Sequence, residues 1–411
     1  MNLTRVLPFL FAVCAAAQPL LSLEEAVSTA LRSHPLLSAA GARTAAADGF
    51  VLQAGLRPNP RLTLQAENWR AHGTPSFNPD RDPDSFAYVS RPLETGGKRE
   101  RRVEFANANL QRTERERQLV ERQIAVRVRQ AYWNAVGADK LHRLLTENAA
   151  NFRQIVDYHE QRVRLGAMPE ADLVKVQLER ERLNVAIQSA ALEAERARVL
   201  LFREMGQTAV RQVVLVELPD QLDASLPAAD IPTATAQRPE VRVATQVVEQ
   251  ARANLKLQRA NAKPDVDLMA GYKRTAGFHT VIGGMQVSLP LSNRNQGAIA
   301  AGEAEVRAAE WELRALESSV AAEIRTAEAD VRSRADQLKR LFGEADGAGL
   351  RGKAAESSRI ALAAYRLGGT DLLRLLDAER VRIETQVLYY KTLTDYRLSV
   401  VALDAALGVN R

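Results

Sequence analysis

Apolar residues recur in this chain with two different periods, and the two periods follow one another in the same order in each half. In Arg61 to Trp69, Leu62, Leu64 and Ala66 alternate with Arg61, Thr63, Gln65 and Glu67, and Ser85 to Arg91 sets Phe86 and Tyr88 on one face. Val266, Leu268, Ala270 and Tyr272 alternate with Asp265, Asp267, Met269 and Gly271. Val281, Gly283, Met285, Val287 and Leu289 alternate with Thr280, Ile282, Gly284, Gln286 and Ser288. A period of two with one apolar side is the mark of a strand, so strands are predicted at about 61–69, 84–91, 265–273 and 280–289. Elsewhere the spacing is three to four, as in Ile124, Val128, Ala131, Ala135, Leu141, Leu145, Ala149, Phe152 and Val156. Such a stripe belongs to a helix packed against other helices. Long, proline-free helices are predicted at about 97–165, 170–205, 293–367 and 371–407. The first, if continuous, is about 100 Å long at 1.5 Å per residue. A shorter helix precedes each strand pair, at about Leu23 to Leu56 and Thr233 to Ala262. Pro60 and Pro264 follow these helices, and proline removes a backbone donor and disfavours helix in the residue before it.

The duplication has sharper marks than periodicity. Ser33-His34-Pro35-Leu36 corresponds to Gln237-Arg238-Pro239-Glu240, Asn59-Pro60-Arg61 to Lys263-Pro264-Asp265, and Arg91-Pro92-Leu93 to Leu289-Pro290-Leu291. Arg164-Leu165-Gly166 corresponds to Arg366-Leu367-Gly368, and Met205-Gly206 to Leu407-Gly408. Five pairs in order establish an internal repeat. The expected organisation is a segment 1–17, a first repeat 18–206, an inter-repeat equatorial linker 207–232 and a second repeat 233–411. Each repeat is a helix, a hairpin and a long helix pair, so the fold class is mainly α with a small β part.

Composition agrees with long helices: apolar residues make up 46%, charged residues 26% and aromatics only 5%. The net charge of +6 comes from Arg interleaved with Glu, unlike the concentrated basic patch of a nucleic-acid binder. Residues 1–17 read as an export signal, with Arg5, an apolar stretch Val6 to Val13 and small residues Ala15-Ala16-Ala17. Cleavage after Ala17 is the favoured reading; a lipidated Cys14, the sole cysteine, is the other. No later run reaches the ~18 apolar residues of a membrane-spanning helix, which leaves a β-barrel as the structure for a membrane role. The strands otherwise read as soluble hairpins lying on the helices. Four strands cannot close a barrel, and open edges are not tolerated in lipid, so in a membrane several copies must pool their strands. Trp69, Phe86, Tyr88 and Tyr272 are candidates for an aromatic girdle at the membrane surface.

Two local signatures follow the strand pairs: Arg91-Pro92-Leu93-Glu94-Thr95-Gly96-Gly97-Lys98-Arg99 and Val287-Ser288-Leu289-Pro290-Leu291-Ser292-Asn293-Arg294-Asn295-Gln296-Gly297. With them the chain, from Leu23 to Gly408, resembles the TolC-like outer-membrane efflux proteins, and within these the CzcC-like branch that accompanies heavy-metal cation pumps. The resemblance implies a homotrimer with a 12-stranded transmembrane β-barrel in the bacterial outer membrane and an α-helical barrel in the periplasm. It also implies a periplasmic adaptor protein and an inner-membrane pump as partners, and cobalt, zinc or cadmium cations as cargo. Arg164, Leu165, Gly166, Arg366, Leu367 and Gly368 match the helix tips where adaptors dock; on residue chemistry alone they are glycine-terminated helix ends. Asp377, in Leu376-Asp377-Ala378, matches an acid that lines the periplasmic constriction, while Arg374 stands where some relatives carry a second acid. Three copies of each give either a salt-bridged ring or an ordinary exposed helix pair.

Catalytic and cofactor chemistry finds no support in the sequence. Gly96-Gly97-Lys98-Arg99 lacks the earlier glycine and following Ser or Thr of a phosphate loop, having Pro92 and Arg99 there. His34, His72, His142, His159 and His279 form no ligand-spaced pair, so no metal site or cofactor is expected. No nucleophile motif occurs, and the carboxylates alternate with Arg on helix surfaces, so an enzyme is not expected. The alternatives to a metal duct are a duct for drugs or other organic solutes and a soluble coiled-coil scaffold.

Overall fold

The computed structural model describes residues 19–70, 72–73, 76–217, 230–343 and 349–409. The signal segment 1–17, Cys14 and part of the 207–232 linker lie outside the described residues. Nine helices and six strands are found among the described residues. They divide into two compact units, one of residues 1–34, 123–227 and 326–405, the other of residues 35–122, 228–325 and 406–411. Neither unit is one of the sequence repeats; each takes a portion of both.

Each short leading helix is interrupted, where each was expected to be single. α1 (Leu23–Ser33) and α2 (Pro35–Gly55) meet at His34, and α5 (Ile231–Gln237) and α6 (Pro239–Asn261) meet at Arg238. His34 has φ −68° and ψ 126°, and Arg238 has φ −60° and ψ 132°. Both are extended because each precedes a proline. Ser22 starts α1 with a capping box: its Oγ accepts from Glu25 N at 3.2 Å, and Glu25 Oε2 accepts from Ser22 N at 3.0 Å.

The second unit holds a four-stranded antiparallel sheet in the order β2 (Arg61–Glu67), β3 (Asp84–Leu93), β5 (Val266–Thr275), β6 (Phe278–Val287). β2 stops at Glu67, before Trp69, because Asn68 turns left-handed at φ 62°. β5 and β6 run further toward each other than expected, into a two-residue turn with Ala276 at φ 50° and Gly277 at φ 85°, the geometry of a tight hairpin.

Register decides what each sheet face presents. Leu62, Val89, Ala270 and Gly283 form one row, and Leu64, Ala87, Tyr272 and Val281 the next. Arg91, Leu268 and Met285, then Leu93, Val266 and Val287, complete the same face. The other face carries Thr63, Tyr88, Gly271 and Ile282 beside Gln65, Phe86, Lys273 and Thr280. Phe86 and Tyr88 therefore leave the proposed girdle: they lie on the polar face, where Lys273 Nζ sits 5.1 Å from the Phe86 ring centre. Tyr272 remains on the apolar face. That face is bare, with Leu62, Leu64, Val281 and Met285 exposed and Val281 89% accessible.

The two signature segments are the turns from strand into long helix. Gly96 and Gly97 are both left-handed, at φ 69° and 73°, and a Cβ on Gly96 would come within 2.5 Å of Lys263 Cδ. Lys98 Nζ pairs with Asp265 Oδ1 at 2.8 Å, tying this turn to the start of β5, and Arg102 pairs with Glu94, tying the long helix back to the end of β3. In the second repeat Asn295, at φ 59°, makes the corresponding turn, its Nδ2 donating to Gln258 O at 2.8 Å.

The first unit holds the parallel pair β1 (Leu20–Leu21) and β4 (Val214–Leu215). Tyr132, 1% exposed, donates from its hydroxyl to Val216 O at 2.7 Å, with Leu21 O at 3.0 Å. Burial pushes this phenol up to about 12. α3 (Lys98–Arg164) and α4 (Glu170–Glu204) follow the predicted pattern, and α9 (Leu372–Leu407) matches the last helix. The expected helix 293–367 is corrected to two, α7 (Gln296–Phe342) and α8 (Leu350–Arg366). Gly343 turns out of α7 at φ 88°, and Gly349 N returns to donate to Phe342 O at 3.1 Å. Phe152, Ile155 and Val156 of α3, Val176 of α4, and Leu372 and Leu375 of α9 form a core cluster that Tyr365 and Leu362 of α8 cover.

Candidate functional site

Both predicted helix tips are the same structure. Gly166 N donates to Val163 O and Ala167 N to Arg162 O, each at 2.9 Å. Gly368 N donates to Tyr365 O at 3.1 Å, and Gly369 N to Ala364 O at 2.8 Å. This pair of bonds ends a helix on a left-handed residue, and Gly166 and Gly368 have φ 68° and 77°. Ending the helices this way turns the leucine before each glycine outward. Leu165 is 79% and Leu367 88% exposed, and Arg164 and Arg366 are exposed beside them. Each tip thus presents a bare apolar side chain next to a cation.

The tips rest on a buried aromatic knot that the sequence reading did not find. His159 has no exposed surface, and its Nε2 lies 2.9 Å from Tyr365 Oη with the rings stacked at 5.6 Å. Its Nδ1 lies 2.7 Å from Ile155 O, an acceptor, so the Tyr365 hydroxyl is the donor to Nε2. Burial raises the Tyr365 phenol above its ordinary value. Helical spacing from the Phe152–Val156 stripe would have placed His159 on the core face of α3.

At the start of α9 the burial pattern separates two sets of side chains. Leu372, Leu375 and Glu379 are buried, whereas Leu373, Arg374, Asp377 and Arg380 are exposed. Positions three and four apart share a helix face, so Arg374 and Asp377 stand on the side away from the core cluster. The structure does not pair them with each other. Asp377 pairs with Arg380, and Arg374 N donates to Asp371 Oδ1 at 2.9 Å, capping the helix. Behind them runs a polar layer: Ser358 Oγ donates to Glu379 at 2.5 Å, Arg382 Nη2 to Glu379 at 2.8 Å, and Asn148 Nδ2 to Gln386 at 3.0 Å. These bonds tie α9 to α8 and α3 and fix which way Asp377 faces. The contacts of Ser358 with Glu379 and of Asn148 with Gln386 join residues far apart in the chain and leave no local sequence signal.

α4 carries two apolar seams. Val176, Ala190, Ala194 and Leu201 are buried within the unit. Leu178, Val185, Leu192 and Val199, seven residues apart, are exposed. A seven-residue repeat suits a further helix alongside. Among the described residues no group of three His, Cys, Asp or Glu is placed to hold a metal ion, and no helix is long and apolar enough to cross a membrane.

Residues 26–207 and 231–409 match the family model described as outer membrane efflux protein. The chain is 25% identical to the cobalt-zinc-cadmium resistance protein CzcC of Cupriavidus metallidurans over 96% of this chain and 91% of that protein. It is 27% identical to the nickel-cobalt-cadmium resistance protein NccC of Alcaligenes xylosoxydans xylosoxydans over 73% of this chain and 67% of that one. The fold is that of the solved CusC structure, with a TM-score of 0.79, 19% identity and coverage of 94% of this chain and 92% of that one. With its matched segments spanning both repeats, the chain belongs to the outer membrane efflux protein family.

Proposed function

We propose that three copies of this chain pool their sheets into a twelve-stranded barrel in the outer membrane, and that their helices form the periplasmic part of a passive exit duct. The carrying observation is the sheet: apolar and bare on one face, polar on the other, with β2 and β6 left as open edges. Such a sheet is stable in lipid only when its edges are paired by copies of itself, and the same apolar face counts against a soluble scaffold. The outer seam on α4 supplies a helical counterpart to the open strand edges. Segment 1–17 delivers the chain for export, and the repeats 18–206 and 233–411, joined by 207–232, each give one hairpin and one helix pair. Leu165 and Leu367, with Arg164, Gly166, Arg366 and Gly368, form the docking ends for a periplasmic adaptor that brings an inner-membrane pump. Arg374 and Asp377 line the constriction as a mixed-charge ring.

The cargo is proposed to be divalent metal cations of the cobalt, zinc or cadmium kind, since the relatives at 25% and 27% identity are named for resistance to such metals. Deleting the gene is expected to raise sensitivity to these cations. Unchanged metal tolerance together with new drug sensitivity would replace metal export with export of organic solutes. Asp377→Ala is expected to raise single-channel conductance in planar bilayers, and an unaltered conductance would remove Asp377 from the constriction.

A further inference from the structure

The apolar face of the sheet contains one charge with nothing to balance it. Arg91 shares a row with Leu268 and Met285, between the row Leu62, Val89, Ala270, Gly283 and the row Leu93, Val266, Val287. It is exposed. Several neighbouring cations at this end of the sheet are already paired: Lys98 with Asp265 at 2.8 Å, Arg101 with Glu104 at 2.6 Å, Arg259 with Glu303 at 2.8 Å, and Arg102 with Glu94. At the hairpin end, Arg274 donates to the Asp80 carbonyl and Arg70 pairs with Asp82 at 2.9 Å. Among the described residues no carboxylate or carbonyl serves Arg91.

A guanidinium on a lipid-facing surface must find an anion or reach water. Arg91 lies two residues from the helix-side end of β3, about 7 Å along the strand. An arginine stem spans a similar distance when it lies along an apolar surface, so its head arrives where hydrocarbon gives way to phosphodiester. The planar fork of Arg suits two oxygens of one phosphate. Lys263 adds a second cation at this end: its stem crosses Gly96, and its position is exposed. We propose that Arg91, with Lys263 at the same rim, binds the phosphate of an anionic phospholipid in the leaflet that faces the helices. This site rests on the membrane-duct reading and identifies the lipid chemistry it uses.

The test is native mass spectrometry of the full-length, detergent-purified oligomer incubated with equal amounts of phosphatidylglycerol and phosphatidylcholine. Wild type is expected to retain phosphatidylglycerol in preference by about tenfold, as for loss or gain of one charge-assisted contact. Arg91→Gln is expected to abolish the preference, Arg91→Lys to keep part of it, and Arg61→Gln, at the same end on the polar face, to leave it intact. Excess inorganic phosphate is expected not to displace the lipid; displacement would assign the site to free anion and overturn the lipid assignment. Should Arg91→Gln fail to assemble, the wild-type ratio decides, and equal retention of the two lipids overturns the proposal. A wild-type oligomer blind to lipid charge that still conducts in bilayers removes the site but keeps the duct, whereas a water-soluble wild-type chain removes the duct itself.

Discussion

α3 and the α7–α8 pair are counterparts in the repeat, yet α3 runs 67 residues without a break while its counterpart is interrupted between Phe342 and Leu350. The numbering shows why. Pro92 and Pro290, just before these helices, are 198 residues apart, but Leu165 and Leu367 at the tips are 202 apart. The second repeat has four extra residues between those marks. Four residues added to a continuous helix would rotate everything beyond them away from its neighbours. The helix is instead interrupted between Phe342 and Leu350, and both long helices end in the same tip, with Gly166 and Gly368 in the same conformation. Tip geometry is kept at the expense of helix continuity.

Four experiments sharpen or break that comparison. The largest effect is expected for Gly349→Val. A Cβ there would stand 2.3 Å from the Phe342 carbonyl carbon, and backbone cannot yield as a side chain can, so a loss of about 3 kcal/mol is expected in chemical denaturation. Gly137→Ala in the unbroken α3 is the milder contrast. Its new methyl meets the Thr394 side chain first, Oγ1 at 2.3 Å and Cγ2 at 2.7 Å; a side chain yields more readily than backbone, and about 1–2 kcal/mol is expected. If Gly137→Ala costs more than Gly349→Val, the break is not the tighter of the two sites.

The kinks offer a second contrast between repeats. Arg238 is permanently charged and pairs with Glu240 at 3.0 Å and Glu323 at 3.1 Å, whereas His34 occupies the matching place. Burial first, and then Arg127, hold the His34 imidazole below its ordinary 6.5. The unfolded chain therefore takes up this proton more readily than the folded one. Stability supplied by neutral His34 is present above pH 6.5 and declines as the pH falls through the lower folded value. Thermal melts of wild type and His34→Gln are expected to diverge in pH dependence below that point by a small amount. Parallel curves would show that His34 contributes nothing to the acid response. The smallest effect is expected for deletion of residues 344–347, which restores the 198-residue offset. Secondary structure and melting midpoint are expected to stay close to wild type, and collapse of the fold would show that the interruption is more than a spacer.

Much of this was legible in the residues. The repeat marks, the four strands and the tip glycines are local, because proline and glycine act through their own backbone. The face of β3 was not. Phe86 and Tyr88 suggested an apolar side, but pairing of β3 with β5 sets Val89 and Ala87 beside Ala270 and Tyr272, and a strand's outer face is decided by its neighbours. The interruption of α7 has no proline to announce it; Gly343, Gly347, Gly349 and the change of repeat offset are its marks in the sequence, and the predicted helix 293–367 ran through them. For the proposed constriction, Asp377 and Arg374 were picked by resemblance alone, while the contacts of Glu379 with Ser358 and of Gln386 with Asn148, behind them, join three helices and had no local pattern.

The central claim is that the exposed sheet face belongs in lipid and its edges belong to other copies of this chain. Light scattering of the detergent-purified, full-length protein, corrected for bound detergent, tests it most directly. The account predicts a particle of three chains that is recovered from the outer-membrane fraction and stays there through a carbonate wash. A single chain, soluble in water without detergent, would contradict it.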